Sequence, residues 1–215
     1  MDERVHDFPG MLGSIDCMHW EWKNCTAAWR CQFTSGFKGS HPTMILEAIA
    51  DHRLWIWHAY FGVAGPNNDI NFLNTSYLLT EQCNGNGPMI KFTSNDRRHH
   101  MGYYSADAIY LWWPDFLKTI ICPTDRKRAL FAQRQEAARK DVEWAFGVLQ
   151  ARWPIVKGPV RFWYKEVIAD VIYACIILHN MIVEDEGTGV TDWGNEEAGP
   201  SSGGPSSGAA TPPHV

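Results

Sequence analysis

Apolar and polar positions keep a strand-like period over the first half of the chain and a helical one over the second. Met11 to Ile15 (MLGSI) reads as a short strand that ends in Asp16. Two β-rich runs follow, residues 43–50 (TMILEAIA) and 54–61 (LWIWHAYF), with the turn-forming Asp51-His52-Arg53 between them, and the pattern predicts a hairpin. Gly65-Pro66-Asn67-Asn68-Asp69 breaks the chain. A helix is predicted from Asp69 to about Leu79, with Asn68 or Asp69 as its cap. Residues 83–88 (CNGNGP) read as a loop, Tyr103 to Ala106 as a strand running into Asp107, and Phe116 to Cys122 as one more strand. Leu130, Phe131, Ala138, Val142, Ala145, Phe146 and Leu149 then recur at helical spacing and predict a long helix over 126–152. Arg128, Arg134, Arg139 and Lys140 fall on its other faces, and Glu143 sits at the flank of the stripe beside Phe146. A last helix is predicted over 167–184 with Ile168, Val171, Ile172, Cys175, Leu178 and Ile182 inward. Strands first, then strand and helix mixed, predict an α/β fold in which helices cover a mixed sheet.

Composition narrows the class. The chain has 215 residues, 45% hydrophobic and 20% charged, enough to bury a core without disulfide or metal staples. That balance excludes a wholly disordered, collagenous or coiled-coil protein. From Gly187 to Val215, 15 of 29 residues are Gly, Ser or Pro, so this tail is expected to be disordered. The expected organisation is an N-terminal remnant over 1–9, one domain over 10–186 and the tail. The first ten residues lack the apolar core of a secretory signal, and the most apolar stretch, Val167 to Val183, is interrupted by Asp170, His179 and Asn180. The expectation is a soluble intracellular chain with no membrane partner. Its six cysteines are read as free thiols. Cys17, His19, Cys25 and Cys31 make a loose zinc-like set, but their spacing is irregular and buried or idle thiols are the preferred reading.

The net charge of −5 is unevenly spread. Residues 118–166 carry 11 Lys and Arg against 5 Asp and Glu, while residues 167–186 carry none against 4. The basic segment is able to meet a phosphate backbone; Arg134, Arg139, Lys140, Arg152 and Lys157 are the candidate DNA contacts. A solvated helix face is the competing reading. The pairs Trp20/Trp22, Trp55/Trp57 and Trp112/Trp113 offer base stacking, although alternation in strands favours core packing for the first two. His99-His100 reads as a solvated loop, and His179-Asn180 as an internally hydrogen-bonded pair rather than a ligand set.

Three acids stand out by position: Asp16 ending the first strand, Asp107 ending a middle strand, and Glu143 on the long helix. Carboxylates on strand ends and a packed helix suit two hard divalent cations that clamp the attacking and leaving oxygens of a phosphoryl displacement. Singly, each has an ordinary reading: a turn for Asp16, a cap for Asp107, an exposed ion pair with Arg139 or Lys140 for Glu143.

The local sequence around these acids adds a resemblance. GMLGSIDCMHWEWKNC (Gly10 to Cys25), GPNNDINFL (Gly65 to Leu73), YYSADAIY (Tyr103 to Tyr110), RQEAARKDVEWAFGVLQARWPIV (Arg134 to Val156) and ACIILHNMIVEDE (Ala174 to Glu186) resemble, in order, motifs of the PIF/Harbinger-type transposases of plants. The resemblance implies an RNase H-like core with a DDE triad falling on Asp16, Asp107 and Glu143. It implies two Mg²⁺ or Mn²⁺ ions, with Asp16 bridging both and Asp107 and Glu143 each completing one site. It also implies cleavage of DNA by water attack, a separate Myb-like DNA-binding partner and a nuclear location. Three positions depart from the family pattern: Ala108 where Gly is usual, Leu111 where Pro is usual, and Trp144 where Arg is usual. Family members also carry a helical segment before the core, where nine residues precede Gly10 here. The alternative expectation is therefore a domesticated or truncated, non-catalytic descendant that binds DNA or protein.

Overall fold

A computed structural model describes residues 6–34, 41–64, 76–106, 116, 117, 120 and 122–187. Asn68, Asp69, Asp107, Ala108, Leu111, Trp112, Trp113 and residues 188–215 of the tail lie outside the described residues.

Among the described residues the strands and helices are, in chain order, β1 (Met11–Glu21), α1 (Ala27–Phe33), β2 (Thr43–Ala50), β3 (Ile56–Ala64), α2 (Tyr77–Glu81), β4 (Phe92–Ser94), β5 (Arg97–His99), β6 (Tyr103–Ser105), β7 (Phe116–Leu117), α3 (Arg126–Arg152), α4 (Pro154–Lys157) and α5 (Lys165–Glu186). Five strands form one sheet in the order β3-β2-β1-β6-β7, with β4 and β5 in a separate hairpin. β1, β2 and β3 pair antiparallel. β6 joins β1 in parallel and β7 joins β6 in parallel. The result is an α/β fold with a mixed sheet, an arrangement compatible with an RNase H-like core.

The predicted hairpin is found, its first strand at 43–50 as expected and its second at 56–64 rather than 54–61, and an aspartate builds its turn. Asp51 Oδ1 accepts from the Arg53 and Trp55 N–H groups, and Oδ2 accepts from Trp57 Nε1–H at 3.0 Å. Trp57 is consequently exposed, which corrects the expectation that this Trp pair is core. β1 corrects another boundary: it continues five residues beyond Asp16. Trp20 in that extension and Trp22 just beyond it are buried, and their indoles donate to the carbonyls of Gly158 (2.5 Å) and Phe162 (2.8 Å). The segment after α4 thus seals the end of β1. Residues 82–86 coil into a turn broken by Gly85 at φ +81°, and of the strand expected over 116–122 Phe116–Leu117 is found, with residues 118, 119 and 121 outside the described residues.

Two cores lie on opposite faces of the sheet. On one face Trp20, Met44, Leu46, Ala48 and Ala50 pack against Val142, Ala145, Phe146 and Leu149 of α3 and Ile168, Ile172 and Ile176 of α5. On the other, Leu12, Ile15, Ile49, Tyr104, Ala106 and Phe116 cluster with Leu78. A bulge at Gly13 sets this phase. The β1–β6 register shifts there, so Leu12 and Ile15 share one face while Ser14, Met18 and Trp20 share the other.

The α3 stripe is as expected from Ala138 onward, but Leu130 is exposed. For α5 four of the six residues expected inward, Val171 among them, meet the core and two do not. Ile168, Ile172 and Cys175 are buried, whereas Leu178 and Ile182 are exposed, and Ile176, His179 and Val183 take their place. A helix apolar on nearly every side carries no phase in its sequence. By length and mean hydropathy (1.8) α5 is also able to cross a membrane, in contrast to the sequence expectation, but its inner face is built into the core.

Candidate active site

Ser14 fixes how α3 lies on β1. Its hydroxyl donates to the Ala50 carbonyl (3.4 Å) and accepts the Val142 N–H (3.1 Å). Four residues on, Met18 Sδ accepts from Gln150 Nε2 at 2.7 Å. Eight helical residues rise about 12 Å and four strand residues about 13 Å, so helix and strand run side by side. Asp16 lies between these two contacts, on the alternation shared by Ser14, Met18 and Trp20. That alternation turns its side chain to the α3 side of the sheet. Asp16 is half-buried, and its Oδ1 accepts the Cys17 N–H at 2.8 Å.

Glu143 follows Val142, the residue tied to Ser14, and so sits on the part of α3 that lies along β1. It is exposed. Its Oε1 accepts from Arg139 at 2.5 Å, and the same guanidinium binds Glu136 at 2.8 and 3.1 Å. The fork of Arg139 therefore joins two carboxylates one turn apart on each side of it. These hydrogen bonds, Glu136's first, hold the Arg139 guanidinium even more firmly charged than usual, against the opposing cost of burial. The hydrogen bond from Arg139 holds Glu136 below the usual carboxylate range. The ion-pair reading of Glu143 is thus realised, with Arg139 as the partner.

The candidate DNA contacts divide. At 100° per residue, Arg139 and Lys140 lie on the Glu143 side of α3, and Arg134 and Arg152 lie diametrically opposite Glu143. Arg134 pairs with Asp7. Arg152 pairs with Glu186 at 2.5 Å and with His179 Nδ1 at 3.4 Å. Lys140 and Lys157 are exposed.

The zinc-like set is not brought together. Cys17 and His19 alternate with the helix-facing residues of β1, Cys25 packs against the helix-side core, and Cys31 is exposed on α1. Among the described residues no group of three His, Cys, Asp or Glu is close enough to hold a metal ion. Of the three predicted acids, Asp16 and Glu143 are described and Asp107 is not.

One acid was missed. Glu47 is fully buried in β2, on the sheet face away from α3. Its Oε1 accepts from Ser76 Oγ–H at 2.9 Å and lies 3.4 Å from His58 Nε2. Burial, with the Glu47 charge adding to it, pushes the Tyr104 phenol up to about 12. A lone acid inside the otherwise apolar run TMILEAIA was the available signal, because a carboxylate in a buried strand demands a partner.

Comparison with known proteins now adds lineage. The sequence profile described as plant transposon protein matches residues 2–190. "Protein ALP1-like" of Arabidopsis thaliana is 26% identical over 190 residues, covering 86% of this chain. The chain spans 46% of that relative's length. No solved structure matches.

Proposed function

Because the chain belongs to the plant transposon protein family, as a Harbinger-type transposase-derived protein, we propose that it is a metal-dependent DNA endonuclease with an RNase H-like core whose triad is Asp16, Asp107 and Glu143. The observation that carries this reading is the alignment of α3 along β1. It holds Asp16 and Glu143 on neighbouring elements, on the same side of the sheet. Sequence arithmetic supports the third member: Ser14 and Ser105 are register partners in the parallel β1–β6 pair, and Asp16 and Asp107 each follow by two residues.

The donor chemistry fits Mg²⁺ or Mn²⁺. All three groups are hard carboxylate oxygens, and two stand on packed secondary structure. Bound there, two such ions would offset charge on the attacking and leaving oxygens of a phosphodiester. Asp16 would hold both ions, and Asp107 and Glu143 one each. Glu143 must first leave Arg139, and its exposure gives the side chain room to turn. Lys140, exposed on the same side of α3, would meet DNA phosphates.

A second reading, a non-catalytic module that binds DNA or protein, is favoured by the Arg139–Glu143 pair itself, which holds the candidate ligand on a cation. Trp144, exposed where the family usually has Arg, points the same way. Nicking of supercoiled plasmid in Mg²⁺ or Mn²⁺ tests the choice, beside Asp107→Ala and Glu143→Gln. The enzymatic reading expects nicking that both variants lose. Equal nicking by wild type and variants overturns it, and retardation of DNA without nicking selects the binding module.

A further inference from the structure

Helix α5 carries two apolar stripes. The inner one, Ile168, Ile172, Cys175, Ile176, His179 and Val183, closes the core. The outer one, Val167, Ala174, Leu178 and Met181, with the half-buried Val171 at its border with the core, repeats at spacings of four, three, four and three residues. That is the seam that packs a second helix side by side. All but Val171 are open: Leu178 is 47% and Met181 59% exposed, and the adjoining Ile177 is 60% exposed. Ala174, at the midpoint, leaves room for close approach of a neighbouring backbone.

The charges around the seam are of one sign. Glu166, Asp170, Glu184 and Asp185 are exposed, and no Lys or Arg occurs between Glu166 and Glu186. The nearest cation at the helix start, Lys165, is turned onto the Trp29 ring at 4.9 Å. Self-pairing through this seam would bring acidic rim against acidic rim, which disfavours a second copy. A partner whose apolar stripe is flanked by Lys and Arg meets both the seam and the rim.

We propose that the outer face of α5 is a docking site for an amphipathic, basic-flanked helix of another protein. The site is separate from the carboxylate site and does not depend on catalysis.

Synthetic helical peptides test this on the whole chain, read by fluorescence anisotropy. One carries a Leu stripe at four-three spacing with Lys and Arg flanks. A second carries the same stripe with Glu flanks, and a third is a scramble of the first with equal charge and no stripe. The first is expected to bind at least about tenfold more tightly than either control. Leu178→Glu and Met181→Glu, both at exposed positions, should abolish that preference while leaving the circular dichroism spectrum unchanged. Asp170→Lys with Glu184→Lys should transfer it to the Glu-flanked peptide. Equal binding of the first peptide and its scramble reduces the effect to bulk charge and overturns the proposal. So does failure of the first peptide to bind, and so does self-association of the chain that Leu178→Glu removes, which would assign the face to a second copy.

Discussion

A Cβ built on Gly13 would meet the Ala50 carbonyl oxygen at 2.7 Å and Ile49 Cγ2 at 3.1 Å, with the residue's φ at +157°. The bulge that turns Asp16 toward α3 therefore depends on the missing side chain. We expect Gly13→Ala to lower stability by about 1–3 kcal/mol, measured by urea unfolding; an unchanged midpoint would refute this account of the bulge. Glu47 poses the opposite case, a side chain whose removal leaves partners behind. Glu47→Ala strips Ser76 of its acceptor and opens a cavity between strands. The expected cost is about 2–4 kcal/mol. Glu47→Gln keeps an acceptor for Ser76 and should lose less than half of that in the same measurement.

At the scale of elements, the contact between α5 and the β2–β3 turn is polar and pH-dependent. His179 Nε2–H donates to the Leu54 carbonyl at 2.7 Å, so Nδ1 is the acceptor that faces Arg152. Asn180 completes the join: its side chain accepts from the Ile56 N–H (2.9 Å) and donates to the Ile56 carbonyl (2.8 Å). Burial pulls the His179 imidazole below its ordinary value of 6.5, and the Arg152 charge adds to that, against the weaker pull of the Leu54 bond and Glu186. The unfolded chain then binds this proton more readily than the folded one. Stability is thus intact above about pH 6.5 and falls as the pH drops through that value toward the lower folded pKa. We expect unfolding midpoints measured from pH 7.5 to about 5 to decline less steeply in His179→Gln than in wild type; parallel curves would show that other groups dominate. The join was readable in part, since an adjacent His-Asn in an apolar helix demands internal partners. The hairpin and α3 were readable because each keeps one period. The outer half of β1 was not, because after Asp16 the run CMHWE puts Cys17 and His19 on one face and Met18 and Trp20 on the other, without a clean polar alternation. The faces of α5 were not, because two apolar stripes on one helix erase its phase. Asp16 and Glu143 were picked out by motif. Their shared side of the sheet was hidden, since it depends on the Gly13 bulge and on the Ser14 hydroxyl reaching across to Val142.

Across the whole molecule, the basic segment serves two ends that sequence alone merges. Arg134 binds Asp7, and His6 binds Asp141 at 2.9 Å, so the chain before β1 is tied to α3. Arg152 ties the end of α3 to Glu186 at the end of α5. These are ties between distant parts of the chain, while Lys140 and Lys157 remain exposed. With a net charge of −5, any attraction to DNA is local and must be strongly screened by salt. If the chain binds DNA as proposed, affinity should fall steeply between about 50 and 200 mM salt. Lys140→Ala should then reduce the slope of log affinity against log salt by about one, with little change in thermal stability. Arg152→Ala should do the reverse: it leaves the slope unchanged and lowers the melting temperature, because it frees Glu186 and removes the donor facing His179. Fluorescence anisotropy on a DNA duplex at several salt concentrations, paired with thermal melts, separates the two. A slope that falls for Arg152→Ala and holds for Lys140→Ala would place the nucleic-acid face on the opposite side of α3 from Glu143, and so away from the proposed carboxylate site.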